Sequence, residues 1–213
     1  MSEARDIAAV LLKLGAVSVR PRQPFTWASG LKSPLYCDNR LLISTVAERR
    51  RVIDGFCRAV AAMDRKPDVI AGTATAGIPH AAWLAEALSL PMIYIRGAEK
   101  KHGKQNRIEG RVAAGAAAVV IEDLVSTGGS SISAVDALRE QGVEVLAVIS
   151  VFQYGLDKAA SNFQTAGVPL VSLTNLDALL EEAVAQGGID AEERELVARW
   201  RRDPAAWSDA VGG

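Results

Sequence analysis

The sequence has 213 residues, of which 49% are hydrophobic and 23% are charged. This balance is typical of a globular domain and excludes an intrinsically disordered chain, and the length predicts a single domain over residues 1–213. The formal net charge of −1 argues against nucleic acid as the main partner, because proteins that bind the phosphate backbone usually carry a basic excess.

Cysteine content and the N-terminal sequence predict the compartment. Cys37 and Cys57 are the only cysteines, too few for a disulfide framework, which favours a reducing environment. The apolar stretch at 7–14 is too short and too interrupted for a signal peptide. No apolar run approaches the roughly 20 residues that a membrane-spanning helix needs. We therefore expect a cytoplasmic protein that does not act at a membrane.

Hydrophobic spacing predicts the first two helices at 7–14 and 44–63, with Ser44 as the N-cap of the second. Prolines and a glycine between them predict turns with a short extended piece at 35–37. Further along, the predicted strands are 68–72, 91–96, 116–121, 143–152 and 170–173, and the predicted helices are 78–88, 130–141, 176–186 and 191–202. Short apolar strands that alternate with helices predict an α/β fold with a central, mainly parallel sheet flanked by helices.

The segment from Val119 to Ser131 combines three features of a sugar-phosphate site. A buried strand ends in the adjacent acids Glu122 and Asp123, at the edge where open α/β sheets bind ligands. The following turn has two glycines, which allow several backbone N–H groups to point at one anion. A helix then begins, and its free N–H groups and dipole favour a phosphate.

The two acids suit hydroxyl donors such as the ribose 2′-OH and 3′-OH, and they can stabilise positive charge that develops on a sugar ring. The alternative is a turn and helix cap without a ligand, because an Asp before a loop is often only a cap. Other nucleotide-binding patterns are missing from the sequence. No Gly-x-Gly-x-x-Gly follows a predicted strand, and no Gly-x-x-x-x-Gly-Lys-Ser/Thr loop occurs.

A basic segment lies between Gly97 and Gly110. Its basic residues are Lys100, Lys101, His102, Lys104 and Arg107. By itself such a run is more often a solvated surface than a ligand-binding loop. Together with a phosphate-binding turn in the same chain, it predicts a lid that neutralises pyrophosphate. The second histidine, His80, is expected to be structural.

Residues Val119 to Ser131 resemble the phosphoribosyl pyrophosphate (PRPP) motif of the type I phosphoribosyltransferases, with hydrophobic residues, two acids and a Thr-Gly-Gly turn. Other segments resemble the orotate phosphoribosyltransferase family within that group. Residues 25–36 are similar to its N-terminal signature, and residues 72–79 to its pyrophosphate-side turn. Residues 100–103 with 109–110 are similar to its mobile catalytic loop.

The resemblance implies the type I phosphoribosyltransferase fold, with an N-terminal hood at about 1–40, a core at about 66–175 and C-terminal helices at about 176–213. It implies that Glu122 and Asp123 hold the ribose hydroxyls. The residues that would cradle the 5-phosphate are Ser126, Thr127, Gly128, Gly129 and Ser130, and Leu124 and Val125 would also bind PRPP. Those that would meet the pyrophosphate are Arg96, Lys100, Lys101, His102 and Lys104. The implied catalytic residues are Lys100, His102 and Asp123.

On the orotate side, the resemblance implies contacts from Ser126, and we add Tyr36, Cys37 and Lys32 as candidates. Members of the family work as homodimers, in which parts of the 97–110 loop reach the neighbouring site. Mg²⁺ enters mainly on the pyrophosphate of the substrate, so no protein residue is expected as a metal ligand. The implied activity joins orotate to PRPP and forms orotidine 5′-monophosphate for pyrimidine synthesis.

The sequence departs from the family pattern at three places. Ala28 and Ala76 stand where many members have lysine, and Lys32 is a candidate to replace the first. Phe152–Gly155 stands where many members have an Asp-Arg pair whose arginine binds orotate. The orotate carboxylate must then be recognised by other groups, such as backbone N–H groups near Tyr36 and Cys37.

Two other functions fit parts of the sequence. A purine phosphoribosyltransferase would keep the chemistry and change the base, although the 25–36 signature argues against it. A regulator would retain the PRPP-binding turn but bind nucleic acid without catalysis, and the near-neutral charge argues against that.

Overall fold

The computed structural model describes residues 2–27, 29–97 and 107–212. Its helices are α1 (Glu3–Lys13), α2 (Val46–Ala61), α3 (Gly77–Leu88), α4 (Gly129–Glu140), α5 (Asp157–Ala166), α6 (Leu176–Ala185), α7 (Ala191–Arg202) and α8 (Pro204–Gly212). Its strands are β1 (Val17–Val19), β2 (Phe25–Thr26), β3 (Lys32–Ser33), β4 (Leu35–Cys37), β5 (Val69–Thr73), β6 (Met92–Ile95), β7 (Ile108–Glu109), β8 (Ala117–Val125), β9 (Glu144–Gln153) and β10 (Leu170–Asn175). A 3₁₀-helix, Asn39–Ser44, precedes α2.

The central sheet has six strands in the order β10-β9-β8-β5-β6-β7. All neighbours pair in parallel except β7, which runs antiparallel to β6. Side chains alternate along β8, so Val119 and Ile121 join one hydrophobic core cluster while Ala118 and Val120 join the other. Helices α1, α2 and α3 contribute to the first cluster, and α4 and α5 to the second. The predicted α/β fold class is confirmed.

Small antiparallel pairs precede this sheet. Strand β1 pairs with β4, and β2 pairs with β3. We call β1 to β4 the hood strands. The extended piece predicted at 35–37 is β4. Because strands this short are not stable alone, the hood strands depend on contacts with the rest of the chain.

Several predicted boundaries were wrong. The strand predicted to end at Ile121 continues to Val125, because β8 stays paired with β9 as far as Val125 opposite Gln153. Ser44 is not the N-cap of α2; it lies in the 3₁₀-helix and its hydroxyl donates to the Leu41 carbonyl. Thr45 occupies the N-cap position instead.

Two helices of the structure were not predicted from the sequence. Helix α5 buries only Ala159 and Phe163, which is too few apolar residues for a clear periodic signal. Helix α8 has only 9 residues. It begins at Pro204, and proline favours the first position of a helix. Within the described ranges, no helix is long and apolar enough to cross a membrane.

His80 lies on α3 and is fully buried. Its ring packs near Phe56 and Trp83, and neither ring nitrogen has a hydrogen-bond partner among the described residues. Burial lowers the pKa of His80 to about 4, so the imidazole is neutral at physiological pH. These contacts agree with the structural role expected for it.

Candidate active site at the carboxyl end of strand β8

Glu122 is a buried acid near the end of β8. Its Oε2 atom accepts hydrogen bonds from the hydroxyls of Ser131 at 3.0 Å and Ser130 at 3.3 Å, and its Oε1 accepts from the Asp123 N–H at 3.1 Å. These bonds tie the end of the strand to the first turn of α4. The carboxylate is therefore held in place before any ligand binds.

Asp123 is the second acid of the pair. Burial and the adjacent Glu122 carboxylate raise the pKa of Asp123 to about 7. Two neighbouring acids in a low-dielectric site resist ionising together. Hydroxyl donors of a sugar, or positive charge on it, would favour the ionised form, because both interact with carboxylate oxygens.

The phosphate turn predicted from the sequence is shorter than expected. Leu124 and Val125 belong to β8, only residues 126–128 form the turn, and Gly129 and Ser130 begin α4. Gly128 has a φ of +81° at the N-cap of α4, and an added Cβ would lie 2.5 Å from Cε2 of Phe163. Glycine is required here both for the backbone conformation and for the close approach of α5.

We call residues 122–131 the cradle. Because the first four N–H groups of a helix lack intrahelical acceptors, the start of α4 presents donors next to the acid pair. Asn162 of α5 donates to the Thr127 carbonyl at 2.9 Å and supports the turn from outside. Donors for a phosphate and acceptors for hydroxyls thus lie side by side, as a sugar phosphate requires.

The turn between β5 and α3 lies beside the cradle. The Thr73 hydroxyl donates to the Ile121 carbonyl at 3.1 Å. A Cβ on Gly77 would lie 2.5 Å from both the Ile121 carbonyl oxygen and Thr73 Oγ1, so α3 begins in direct contact with β8. The turn predicted to face pyrophosphate therefore adjoins the acid pair.

Arg96 directly precedes the basic segment, and Arg107 is the last of its basic residues. The Arg96 guanidinium pairs with Glu109 at 2.9 Å, and the backbone N–H of Arg96 donates to the Arg107 carbonyl at 2.9 Å. Arg107 Nη1 donates to the carbonyl and the hydroxyl of Ser133 on α4, at 3.1 and 2.9 Å. A cavity of about 70 Å³ lies between these arginines and Ser130. The predicted pyrophosphate residue Arg96 is thus placed next to the cradle.

Four predicted loop residues lie outside the described residues: Lys100, Lys101, His102 and Lys104. Ala28, one of the three departures from the family pattern, also lies outside them. Their predicted roles stay predictions.

The predicted orotate-side residues divide into two groups. Tyr36 is 45% exposed, and burial together with the Asp123 and Asp38 carboxylates raises the pKa of the Cys37 thiol. Cys37 therefore lies close to Asp123, whereas Tyr36 lies beside it in β4 with a largely exposed side chain. Lys32 is placed differently, because its ammonium donates to the Val211 carbonyl of α8 at 3.1 Å.

Asn39 is a candidate site residue that was not predicted from the sequence. It is buried, its Nδ2 donates to the Asp123 carbonyl at 2.7 Å, and its Oδ1 accepts from the Cys37 thiol at 3.4 Å. It connects the hood strands directly to the acid pair. The only signal was its position three residues after Tyr36, within the N-terminal hood predicted at about 1–40.

Tyr154 belongs to the segment that replaces the expected Asp-Arg pair. It is buried, its N–H donates to the Val125 carbonyl at 3.1 Å, and its ring lies 5.9 Å from Trp27. Burial, with the nearby Cys37 and Asp123, raises the pKa of its hydroxyl. A neutral phenol thus lies in the segment where the family pattern has an arginine.

Among the described residues, no group of three or more His, Cys, Asp and Glu side chains is arranged to hold a metal ion. The acid pair offers two carboxylates, one of them bonded to Ser130 and Ser131. This donor set fits a cation that arrives already coordinated by a substrate better than a resident one, because Mg²⁺ is often bound by one or two carboxylates plus substrate phosphates.

Comparisons with known proteins agree with this geometry. The family described as "Phosphoribosyl transferase domain" matches residues 49–172. The orotate phosphoribosyltransferase of Bacillus caldolyticus is 49% identical over 202 residues, which cover 95% of this chain and 98% of that protein.

Solved structures are similar as well. The orotate phosphoribosyltransferase from Aeropyrum pernix superposes with a TM-score of 0.74 at 31% identity, covering 86% of this chain and 99% of that one. Leishmania donovani UMP synthase gives a TM-score of 0.77 at 27% identity over 93% of this chain, which spans 42% of that longer protein. The acid pair at the end of β8, the glycine turn and the similarity over nearly the full chain agree. The chain therefore belongs to the orotate phosphoribosyltransferases, within the type I phosphoribosyltransferase family.

Proposed function

We propose that the protein transfers the ribose 5-phosphate group of PRPP to orotate, forming orotidine 5′-monophosphate and pyrophosphate in pyrimidine synthesis. It is then a glycosyltransferase that moves a pentosyl group. The observation that carries the proposal is the juxtaposition of Glu122 and Asp123 with the glycine turn at the start of α4. The 49% identity to an orotate phosphoribosyltransferase supports orotate as the base.

The reaction replaces one bond at the anomeric carbon of the ribose. The bond from this carbon to a pyrophosphate oxygen breaks, and pyrophosphate leaves with its electron pair. N1 of orotate forms the new bond on the opposite face and loses its proton to water. Positive charge develops on the ring during the exchange, and Asp123 and Glu122 stabilise it while they hold the 2′-OH and 3′-OH. The cradle fixes the 5-phosphate and so aligns the anomeric carbon with the base.

Mg²⁺ is proposed to arrive on the pyrophosphate of PRPP, where it neutralises charge on the leaving group. Arg96, beside the cradle, is proposed to meet the same pyrophosphate. Lys100, Lys101, His102 and Lys104 are proposed to add charge there, with Lys100 and His102 catalytic, on the basis of sequence resemblance. A homodimer with shared sites and a cytoplasmic location are likewise proposed from the sequence.

The test is pyrophosphate release by the purified full-length chain with Mg²⁺, PRPP and one base at a time. The bases are orotate, uracil, adenine, hypoxanthine and guanine. We expect turnover with orotate alone. Turnover with a purine instead would keep the cradle and overturn the substrate. No turnover with any base, together with salt-sensitive binding to RNA or DNA, would favour a non-catalytic regulator.

A further inference from the structure

The hairpin β2–β3 needs support from outside the hood strands. Each of its strands has two residues, and only two residue pairs join them, Phe25 with Ser33 and Thr26 with Lys32. A two-stranded hairpin is marginal in water even when it is longer. The chain therefore has to hold this hairpin with contacts from other elements.

Helix α8 provides the first support. The backbone N–H of Lys32 donates to the hydroxyl of Ser208 at 2.9 Å, and the Lys32 ammonium donates to the Val211 carbonyl at 3.1 Å. Ser208 is buried, so water does not easily replace its hydroxyl. The carbonyls at the end of a helix carry partial negative charge and lack intrahelical donors. The lysine thus binds α8 through both its backbone and its charge.

Helix α7 provides the second support. Trp200 is fully buried, and its ring meets Trp27 edge-on at 5.9 Å and 87°, and Tyr154 at 5.6 Å and 79°. Edge-to-face geometry is a favourable arrangement of aromatic rings. The Trp27 indole N–H donates to the Leu35 carbonyl at 3.2 Å. Helix α7 therefore holds the residue that links the hairpin to β4.

From β4 the contacts lead into the site. The thiol of Cys37, at the end of β4, donates to Asn39, and Asn39 donates to the Asp123 carbonyl. A continuous series of contacts thus runs from α8 through Lys32, Trp27 and the hood strands to the acid pair. It reaches the cradle at Asp123, through Cys37 and Asn39.

We propose that α8 is a positioning element for the base-binding side of the site, with Ser208 as its key residue. Lys32 then acts through α8 as a positioning residue and does not contact orotate. The inference rests on the proposed function, because it takes orotate as the base and uses the sequence-based prediction that Tyr36 and Cys37 of β4 lie on the orotate side. It predicts that α8 sets the affinity for the base and leaves the affinity for PRPP nearly unchanged.

The experiment compares full-length Ser208→Ala with the wild type in steady-state assays that vary orotate at saturating PRPP, and then PRPP at saturating orotate. We expect KM for orotate to rise about 3- to 10-fold, because the variant loses one buried hydrogen bond. KM for PRPP and kcat should each change less than about twofold. Ser208→Thr, which keeps the hydroxyl, should restore KM for orotate. Asp209→Asn, exposed on the same helix, should match the wild type.

Lys32→Met keeps the length of the side chain and removes its charge. It should also raise KM for orotate, and the double variant with Ser208→Ala should raise it by less than the product of the single effects, because the two bonds hold the same residue of β3 to α8. Equal rises in both KM values, or an unchanged KM for orotate, would overturn the inference. A wild type that is inactive with orotate would instead refute the proposed function.

Discussion

The cradle and the hood strands are joined through Asn39 and Asp123, yet they are built in different ways. Bonds within the cradle join residues one, eight and nine positions apart. The bonds that hold the hood strands and the adjoining Asn39 join residues 84, 176 and 179 positions apart. The cradle is formed by one continuous stretch of chain. The hood strands are positioned by contacts with the carboxyl end of β8 and with the C-terminal helices. The contacts within a contiguous segment can be predicted from sequence, whereas contacts between distant segments cannot.

The chemical role of the cradle predicts the largest effect. The double variant Glu122→Gln/Asp123→Asn should lower kcat about 100-fold or more, since it removes the charge that stabilises the developing cation. Steady-state pyrophosphate release measures it, and circular dichroism should show an unchanged fold. Asp136→Asn, an exposed acid on α4, is the matched control and should retain normal turnover. Near wild-type turnover in the double variant would remove the acid pair from the mechanism.

The local geometry of the cradle predicts the next effect. Gly128→Ala should lower the free energy of unfolding by about 2–3 kcal/mol, because it combines a left-handed backbone with a close contact. The contact is with the ring of Phe163, 2.5 Å from the added Cβ. Urea denaturation measures the change.

The neighbouring glycine is the control for that change. Gly129 has nothing within 4 Å of an added Cβ and lies in α4. Gly129→Ala should therefore leave stability unchanged or raise it by up to about 1 kcal/mol, because alanine favours helix. Equal destabilisation by both variants would mean that the turn does not depend on the conformation of Gly128.

The connection between the cradle and the hood strands predicts a smaller effect. Asn39→Ala leaves the buried Asp123 carbonyl without its donor, so it should lower the free energy of unfolding by about 1–2 kcal/mol. Asn162→Ala removes a similar amide-to-carbonyl bond that is exposed, where water can replace the donor. It should change stability by less than about 0.5 kcal/mol. If Asn162→Ala were the more damaging of the two in urea denaturation, Asn39 would not be the connection.

The smallest expected effect is a gain in the stability of Asp123→Asn that depends on pH. The raised pKa of Asp123, about 7 in the folded protein against an ordinary 3.8, means that the folded state binds more protons than the unfolded state between these values. Its contribution to stability is present below pH 3.8 and is lost as pH rises through 7. Asp123→Asn, which stays uncharged, should therefore be more stable than the wild type at pH 8.

We expect that gain to be about 1 kcal/mol, because solvent reduces the effect of the shift. Thermal denaturation at pH 5 and pH 8 measures it, and the gain at pH 5 should be smaller. Glu140→Gln, an exposed acid at the end of α4, should show no comparable difference. A loss of stability in Asp123→Asn at pH 8 would mean that the ionised Asp123 carboxylate does not destabilise the folded protein.

The sequence by itself determined the α/β class, the acid pair and the glycine turn. These are strand, turn and helix signals that lie next to one another, so the physics that produces them is local. It did not determine that β8 runs on to Val125, because the pairing with β9 carries the strand past the acids. It also gave no sign of α5, whose few apolar residues are buried by α4 and the sheet.

Only the tertiary structure decided what the hood residues touch. Lys32 was a candidate ligand from its position in a signature, and its partners on α8 come from the far end of the chain. Asn39 became a site residue because the 3₁₀-helix brings it to the Asp123 carbonyl. Hydrogen bonds between segments so far apart leave no spacing pattern in the sequence. Their partners are fixed only when hydrophobic burial has brought the segments together.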